Sequence, residues 1–397
     1  MLKCDIRITF PDGDKVLCGT ILCQDPDPRG WIEGAFRYAF GYLDDPRAFP
    51  LDPEVLPLSN REFQAKRSTG VHAVFEDCLP DDWGRRLLVR KANLERTRQS
   101  VPHLLLALGG SGLGALSYES IEDNKIHNAE LMELPDILEA ALCLEQGKTV
   151  SDEGLCALFR AGSSPGGARP KVLVRGLGDI LWIAKFPSAR DTLSMVPIEA
   201  ATMYLAKSAG IDVPETHMIA CGKRQVLLVR RFDVTDIGGR LHMVSTQTLL
   251  RAEGWYNLGY TDLFSLIRKH SSQPEVDVPM LFRQMVFNAL IGNTDDHLKN
   301  FAMLHCGNGF FLSPAYDLLP DTAQRREHVL HFDAGHLFPG FEHLVHIGKK
   351  AGVKKPAEIA SQIREVIRRW MDIYALFGVS QQEIEQLSYG IEKRLEP

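Results

Sequence analysis

The chain has 397 residues, 45% of them hydrophobic and 24% charged, and a formal net charge of −6. That is a globular composition with room for two or three domains and a sizeable core. The acidic balance argues against a protein that coats nucleic acid by itself, because neutralising phosphates takes a basic surface. No run approaches the roughly 20 apolar residues of a membrane span, and eight scattered cysteines without a CxxC pair read as reduced thiols of a cytoplasmic protein.

In chain order, residues 3–10 alternate, with Cys4, Ile6, Ile8 and Phe10 on one face. PDGD (11–14) supplies a turn and KVLCGTIL a second strand, which predicts a β-hairpin rather than a leader peptide. LPDDWGRRLLVRKANLERT (79–97) reads as a helix capped by its aspartates, and VPHLLLALGGSGLGAL ends in a glycine cluster. An N-terminal α+β module is expected over about 1–120, closed by the polar stretch EDNKIHNAELMELPD. KVLVRGL (171–177), LWIAKF (181–186) and VLLVRRF (226–232) read as strands, with a helix over PIEAATMYLAKSAG (197–210) between the last two. Helices dominate from about 260: TDLFSLIRKH, an apolar helix over 281–291, and IASQIREVIRRW (359–370) with Ile359, Ile363, Val366, Ile367 and Trp370 on one face. The expected architecture is α+β and two-lobed, with the N-terminal module at 1–120, a small lobe at 121–232 and a helical lobe at 233–397. A cleft between such lobes is a usual place for a ligand.

The densest chemistry lies in GNTDDHLKNF, just after the 281–291 helix. Asp295 precedes Asn300 by five residues, the separation of Asp and Asn in the protein-kinase loop HRDxxxxN. There the carboxylate takes the proton of an attacking hydroxyl and the amide oxygen holds Mg²⁺. Asp317, in SPAYDLLP, is the natural second metal carboxylate. Such a site also needs a lysine on a small-lobe strand and a helix acid to hold it. Lys185 in LWIAKF and Glu199 supply them, since an ammonium in an apolar strand is costly unless paired. A phosphate cradle should come before that strand, and AGSSPGGARPK does, with Gly166 and Gly167 allowing backbone N–H groups to approach an oxyanion. It is not a Walker A loop, because Ala168 stands where the lysine should be.

Together, GSSPGGARPK, WIAKFP, the Glu199 helix ending AGIDVPET, LLVRRFD, GNTDDHLKNF and SPAYDLLP resemble the HipA family of bacterial toxin kinases. AVFEDCLPDDWGRRLL (73–88) and LLLALGGSGLGAL extend the likeness over nearly the whole chain. The resemblance implies a protein-kinase-like fold, ATP and Mg²⁺, and phosphorylation of a protein serine or threonine. It implies Asp295 as base, Asn300 and Asp317 as metal ligands, and Lys185 on the ATP phosphates. It places Gly167 through Lys171, Arg169 among them, in the phosphate loop. Val229, Arg230, Arg231 and Phe232 would form the hinge beside adenine, reading it through backbone. Lys299 would neutralise developing charge, and His297 would pack and hydrogen-bond within its loop. Autophosphorylation would fall on Ser164 or the adjacent Ser163. The family implies a small helix-turn-helix antitoxin, DNA contact only through that complex, and a substrate such as an aminoacyl-tRNA synthetase. Arg230 departs from the acidic residue that can occur in the family's hinge.

Other patterns carry less. GSGLGA (110–115) satisfies a GxGxxA fingerprint but follows a helix, so it reads as a turn. Five histidines within 328–346 lack a cysteine or HExxH context for zinc, and KKAGVKKP (349–356) reads as a solvated face. The rivals to a protein kinase are a small-molecule or lipid kinase, whose loop has the same Asp-to-Asn spacing, and a non-catalytic kinase-like corepressor.

Overall fold

The computed structural model describes residues 1–119, 129–130, 133–160, 169–176, 180–323, 325–333 and 335–396. Three sheets organise them. The first contains β1 (Leu2–Thr9), β2 (Lys15–Cys23), β3 (Gly34–Tyr38), β4 (Phe63–Gln64) and β5 (Leu116–Glu119) in the order β4-β3-β2-β1-β5. Its β1–β2 hairpin arises because the alternating face Cys4, Ile6, Ile8, Phe10 is buried, each residue 3% exposed or less.

The second sheet contains β6 (Ala129–Glu130), β7 (Lys171–Arg175), β8 (Leu181–Lys185), β9 (Thr216–Cys221) and β10 (Arg224–Arg230), in the order β6-β7-β8-β10-β9. One face packs on helices Leu134–Glu145 and Asp152–Arg160, through Val172, Val174, Trp182, Ala184, Val226 and Leu228. Leu227 and Val229 join Val196 and Ala200 of helix Met195–Ser208 on the other face. Period-two alternation therefore sends Trp182 and Ala184 outward to the helices and leaves Ile183 and Lys185 for the inner face.

The large lobe is built around helix Pro274–Ile291, which packs against Tyr260–His270, Pro356–Ile367 and Gln381–Leu395. It carries a third sheet, β11 (His242–Ser245), β12 (Ala302–His305) and β13 (Phe310–Leu312), in chain order. The fold is thus α+β and two-lobed, with the first sheet's module docked against both lobes.

Local expectations need two corrections. The helix expected over 79–97 runs only Asp82–Lys91. Its N-cap Asp81 makes no side-chain capping bond, and Asn93 turns out of the helix at φ +47°. Strand β9 and the helices Leu134–Glu145 and Asp152–Arg160 went unread, although the last two cover a whole sheet face. Among the cysteines, Cys4, Cys18, Cys23, Cys78 and Cys221 are buried free thiols, whereas Cys156 and Cys306 are exposed.

Candidate active site

Helix Pro274–Ile291 stops at Gly292, a left-handed C-cap at φ +76° whose N–H bonds the Asn288 carbonyl. That stop turns the chain into the loop 293–300 and separates its two adjacent acids. Asp296 is fully buried: Oδ2 accepts from Tyr260 Oη at 2.7 Å and pairs with His328 Nδ1 at 3.0 Å, while Oδ1 accepts from the N–H groups of Val329 and Leu330 at 3.0 and 3.3 Å. Asp295 is exposed, and its carboxylate has no hydrogen-bond or ion-pair partner among the described residues. Its carbonyl instead accepts from Asn300 Nδ2 at 2.9 Å. That bond orients the Asn300 amide and leaves Oδ1 without a donor among the described residues.

Lys185 bridges Glu199 and Asp317, the latter at 2.7 Å. Burial alone would lower the lysine's pKa, but the two carboxylates outweigh it and raise it. The Lys185 charge, with Lys171 behind it, holds Asp317 well below the usual carboxylate range. Asp317 sits at φ +57°, a left-handed conformation uncommon outside glycine and often found at functional sites.

Lys171 lies directly across the β7–β8 ladder from Lys185. It is only 6% exposed, and burial pushes its pKa down. It makes no ion pair or hydrogen bond to a described residue. Like charges facing each other across a sheet are destabilising, and a buried, unpaired ammonium is more so. Lys185 has Glu199 and Asp317 as partners, whereas Lys171 beside it on the cleft face has none among the described residues.

These side chains share one cleft with two compartments. A cavity of about 490 Å³ is bordered by Asp295, His297, Arg169, Lys171, Lys185, Glu199, Asp317, Asp321 and Arg325. A smaller, apolar one of about 150 Å³ is bordered by the segment Val229–Phe232, Ile183, Met203, Met243, Tyr316, Lys299 and Asn300, and shares both lysines and Asp317 with the first. In that segment, which was expected to be the hinge, the N–H groups of Arg230 and Arg231 are used by Glu215 and Leu181 carbonyls, whereas that of Phe232 has no partner among the described residues. The Arg230 side chain points to Glu215 and Asp236, and the buried Arg231 grips Asp233.

Hard oxygen donors from Asp317 and Asn300 fit Mg²⁺, which takes one or two protein groups and completes its shell with phosphates and water. No cluster of three or more His, Cys, Asp or Glu able to hold a metal occurs among the described residues, the histidines of 328–346 included.

Other expected positions are distributed as follows. Arg169 borders the larger cavity and pairs with Asp191 at 3.1 Å. Lys299 borders the smaller one, its Nζ 3.7 Å from Asp81. His297 corrects an expectation: its ring makes no hydrogen bond within the loop, and Nδ1 is buried without a partner among the described residues, because the ring turns to the cleft. Gly166, Gly167, Ala168, Ser163 and Ser164 lie outside the described residues. The sequence reading assigned no part of the cleft wall to the N-terminal module, which supplies Asp77, Leu79, Asp81 and Leu113, although these residues lie in its AVFEDCLPDDWGRRLL and GSGLGA stretches. It also missed Tyr260 and His328, whose tie to Asp296 spans more than thirty residues of chain.

Comparison with known proteins gives the same outline. The HipA-like C-terminal domain matches residues 163–372 and the HipA N-terminal domain matches residues 19–119. A Sinorhizobium fredii protein named as a kinase, Y4mE, is 27% identical over 72% of this chain and 72% of its own length. The serine/threonine-protein kinase toxin HipA of Shewanella oneidensis is 30% identical over 30% of this chain and 33% of its own. A solved structure of the Shewanella oneidensis toxin–antitoxin system, HipA with HipB and operator DNA, aligns over 98% of this chain and 96% of that one, with a TM-score of 0.69 at 19% identity. With the C-terminal domain alone matching over half its length, the chain belongs to the HipA family.

Proposed function

We propose that the protein is an ATP- and Mg²⁺-dependent serine/threonine protein kinase. The observation that carries this reading is the cross-strand pair Lys171 and Lys185 facing Asp317, Asn300 and Asp295 around one cleft. Lys171 and Lys185 receive the phosphates, and Glu199 holds Lys185 in place. Asn300 Oδ1 and Asp317 would hold the metal, and Mg²⁺ held there would supply charge neutralisation for the phosphates. The Asp295 carboxylate accepts the proton of the attacking hydroxyl, and Lys299 lies beside the developing charge. The Phe232 N–H, without a partner among the described residues, is the hinge donor for the adenine edge. Gly166, Gly167, Ala168 and Arg169 complete the phosphate loop, and Ser163 or Ser164 within it is the autophosphorylation site. His297 borders the phosphate path.

On this reading the units are the module at 1–120, a small lobe at 121–232 and a large lobe at 233–397. The partner is a small helix-turn-helix antitoxin and DNA is contacted through it, a reading in line with the Shewanella complex of HipA with HipB and operator DNA. The substrate is a translation-related protein such as an aminoacyl-tRNA synthetase. The enzyme works in the cytoplasm, and no described helix is long and apolar enough to cross a membrane.

The test is transfer of labelled γ-phosphate. The intact chain should label protein in a cell extract, and Asp295→Asn should lose at least about a hundredfold in rate, the scale of a general base, while binding ATP normally. Label appearing only in extractable small molecules would favour the small-molecule or lipid kinase. Growth inhibition that survives Asp295→Asn in full would favour a non-catalytic corepressor.

A further inference from the structure

The larger cavity takes Arg169, Lys171 and Lys185 from β7, β8 and the approach to β7, and Arg325 from the segment that follows Asp317. Lys299 borders only the smaller compartment. Arg325 is aimed by its surroundings. Its backbone N–H and its Nε both donate to the Asp321 carboxylate, at 2.6 and 2.9 Å. The Asp321 side chain is 5% exposed, and the Asp321 backbone N–H donates to the Gly292 carbonyl at 2.8 Å. On the other side of Arg325, the Val329 N–H donates to the Thr294 carbonyl at 3.1 Å. The stretch carrying Arg325 is therefore fastened on both sides to the backbone that leads into Asp295.

The grip on Nε leaves both Nη groups of Arg325 without a partner among the described residues. A guanidinium held in this way keeps a rigid pair of donors, the geometry that binds two oxygens of one phosphoryl group. An exposed ion pair adds little to stability, so the fold alone does not account for this one. We propose that Arg325 binds the terminal phosphoryl group of ATP, with Asp321 as the residue that positions it. The inference rests on the kinase reading, and it adds a cation from the same side of the cleft as Asp295. As the acceptor hydroxyl bonds to the γ-phosphorus, its proton passes to Asp295. The bond from that phosphorus to the bridging oxygen breaks, and its electron pair leaves on ADP. Arg325 stays with the oxygens of the transferred group and offsets their charge.

The test uses the full chain and two probes, Mg²⁺·ATP and Mg²⁺·ADP, with binding measured by calorimetry. The probes differ by the terminal phosphoryl group alone. Arg325→Gln should weaken ATP at least about tenfold, the scale of one charged hydrogen-bonding group. It should leave ADP binding and the ligand-free melting midpoint unchanged. Asp321→Asn should weaken ATP relative to ADP in the same sense and by less. Arg325→Lys keeps the charge and loses the fork, so its ATP affinity should fall between those of the intact chain and Arg325→Gln, and it keeps the test decisive if the Gln variant fails to fold. ATP binding as tight as that of the intact chain in Arg325→Gln overturns the inference, as does an equal loss for both probes. Failure of the intact chain to bind either probe overturns the kinase reading, and this inference with it.

Discussion

Asp295 and Asp296 are neighbours with opposite roles in the fold. Asp296 has no exposure and accepts from or pairs with four groups, three of them in the segment 328–330. Its neighbour keeps a free carboxylate in the cleft. Asp296 therefore ties the loop 293–300 to the segment that follows Asp317, and Asp295 is held in place through it. Asp296→Ala leaves the Tyr260 hydroxyl, the His328 ring and two N–H groups without their acceptor, and should cost about 3 kcal/mol of stability. Urea unfolding would measure this, and a midpoint unchanged from the parent would count against it. Asp296→Asn keeps the shape and one acceptor and should cost less.

At the scale of elements, the N-terminal module docks on the third sheet through histidines. His242 of β11 bonds the Leu51 carbonyl through Nε2 at 2.8 Å, and His305 of β12 stacks on Phe49 with centroids 3.6 Å apart. Burial holds His242 and His305 near 4, and does the same to His72 within the module. The unfolded chain takes up these protons near 6.5, so the unfolded state binds more protons between about 4 and 6.5. Stability is then complete above 6.5 and falls as pH drops toward 4. His242 alone accounts for on the order of 3 kcal/mol over that window. Asp77 opposes this, because burial raises its carboxyl to about 6 and its ionised form is relieved as pH falls. Burial raises Asp52 and Asp212 in the same way and lowers His103, so four histidines stand against three acids; the histidines take up their protons in the unfolded chain nearer neutrality, which leaves a net loss between pH 7.5 and 5. The urea midpoint should fall between pH 7.5 and 5, and fall less in His242→Gln. A midpoint that holds or rises on acidification would refute this.

At the scale of the molecule, the proposed nucleotide site would be coupled to the fold, because one cleft draws residues from the module, both lobes and the loop 293–300. A ligand bound only by the folded state stabilises it by about 2.7 kcal/mol at a hundredfold excess over Kd. Mg²⁺·ATP should raise the melting midpoint of the parent, and chelating the metal should remove most of the gain. Asp317→Ala should show the same small shift with and without Mg²⁺. A full metal-dependent shift in that variant would take Asp317 out of the metal site. Much of the large lobe was legible because its helices carry apolar stripes of their own, as Ile363, Ile367 and Trp370 do. The cover over the second sheet was not, because Leu134–Glu145 follows a polar stretch that masks its start, and only the sheet face behind it explains its buried residues.

The amino-acid order by itself determined what depends on near neighbours: the alternation that turns Lys185 to one face of β8, the glycine that ends helix Pro274–Ile291, and the Asp-to-Asn spacing of the loop. Only the tertiary structure decided which of two adjacent acids is buried, that Lys171 lies opposite Lys185, and that Leu113 borders the same cavity as Val229–Phe232. Burial and charge pairing are set by atoms brought close in space from distant points of the chain. The Gly114–Asp233 bond joins residues 119 positions apart. No pattern read within a few residues can encode such a meeting.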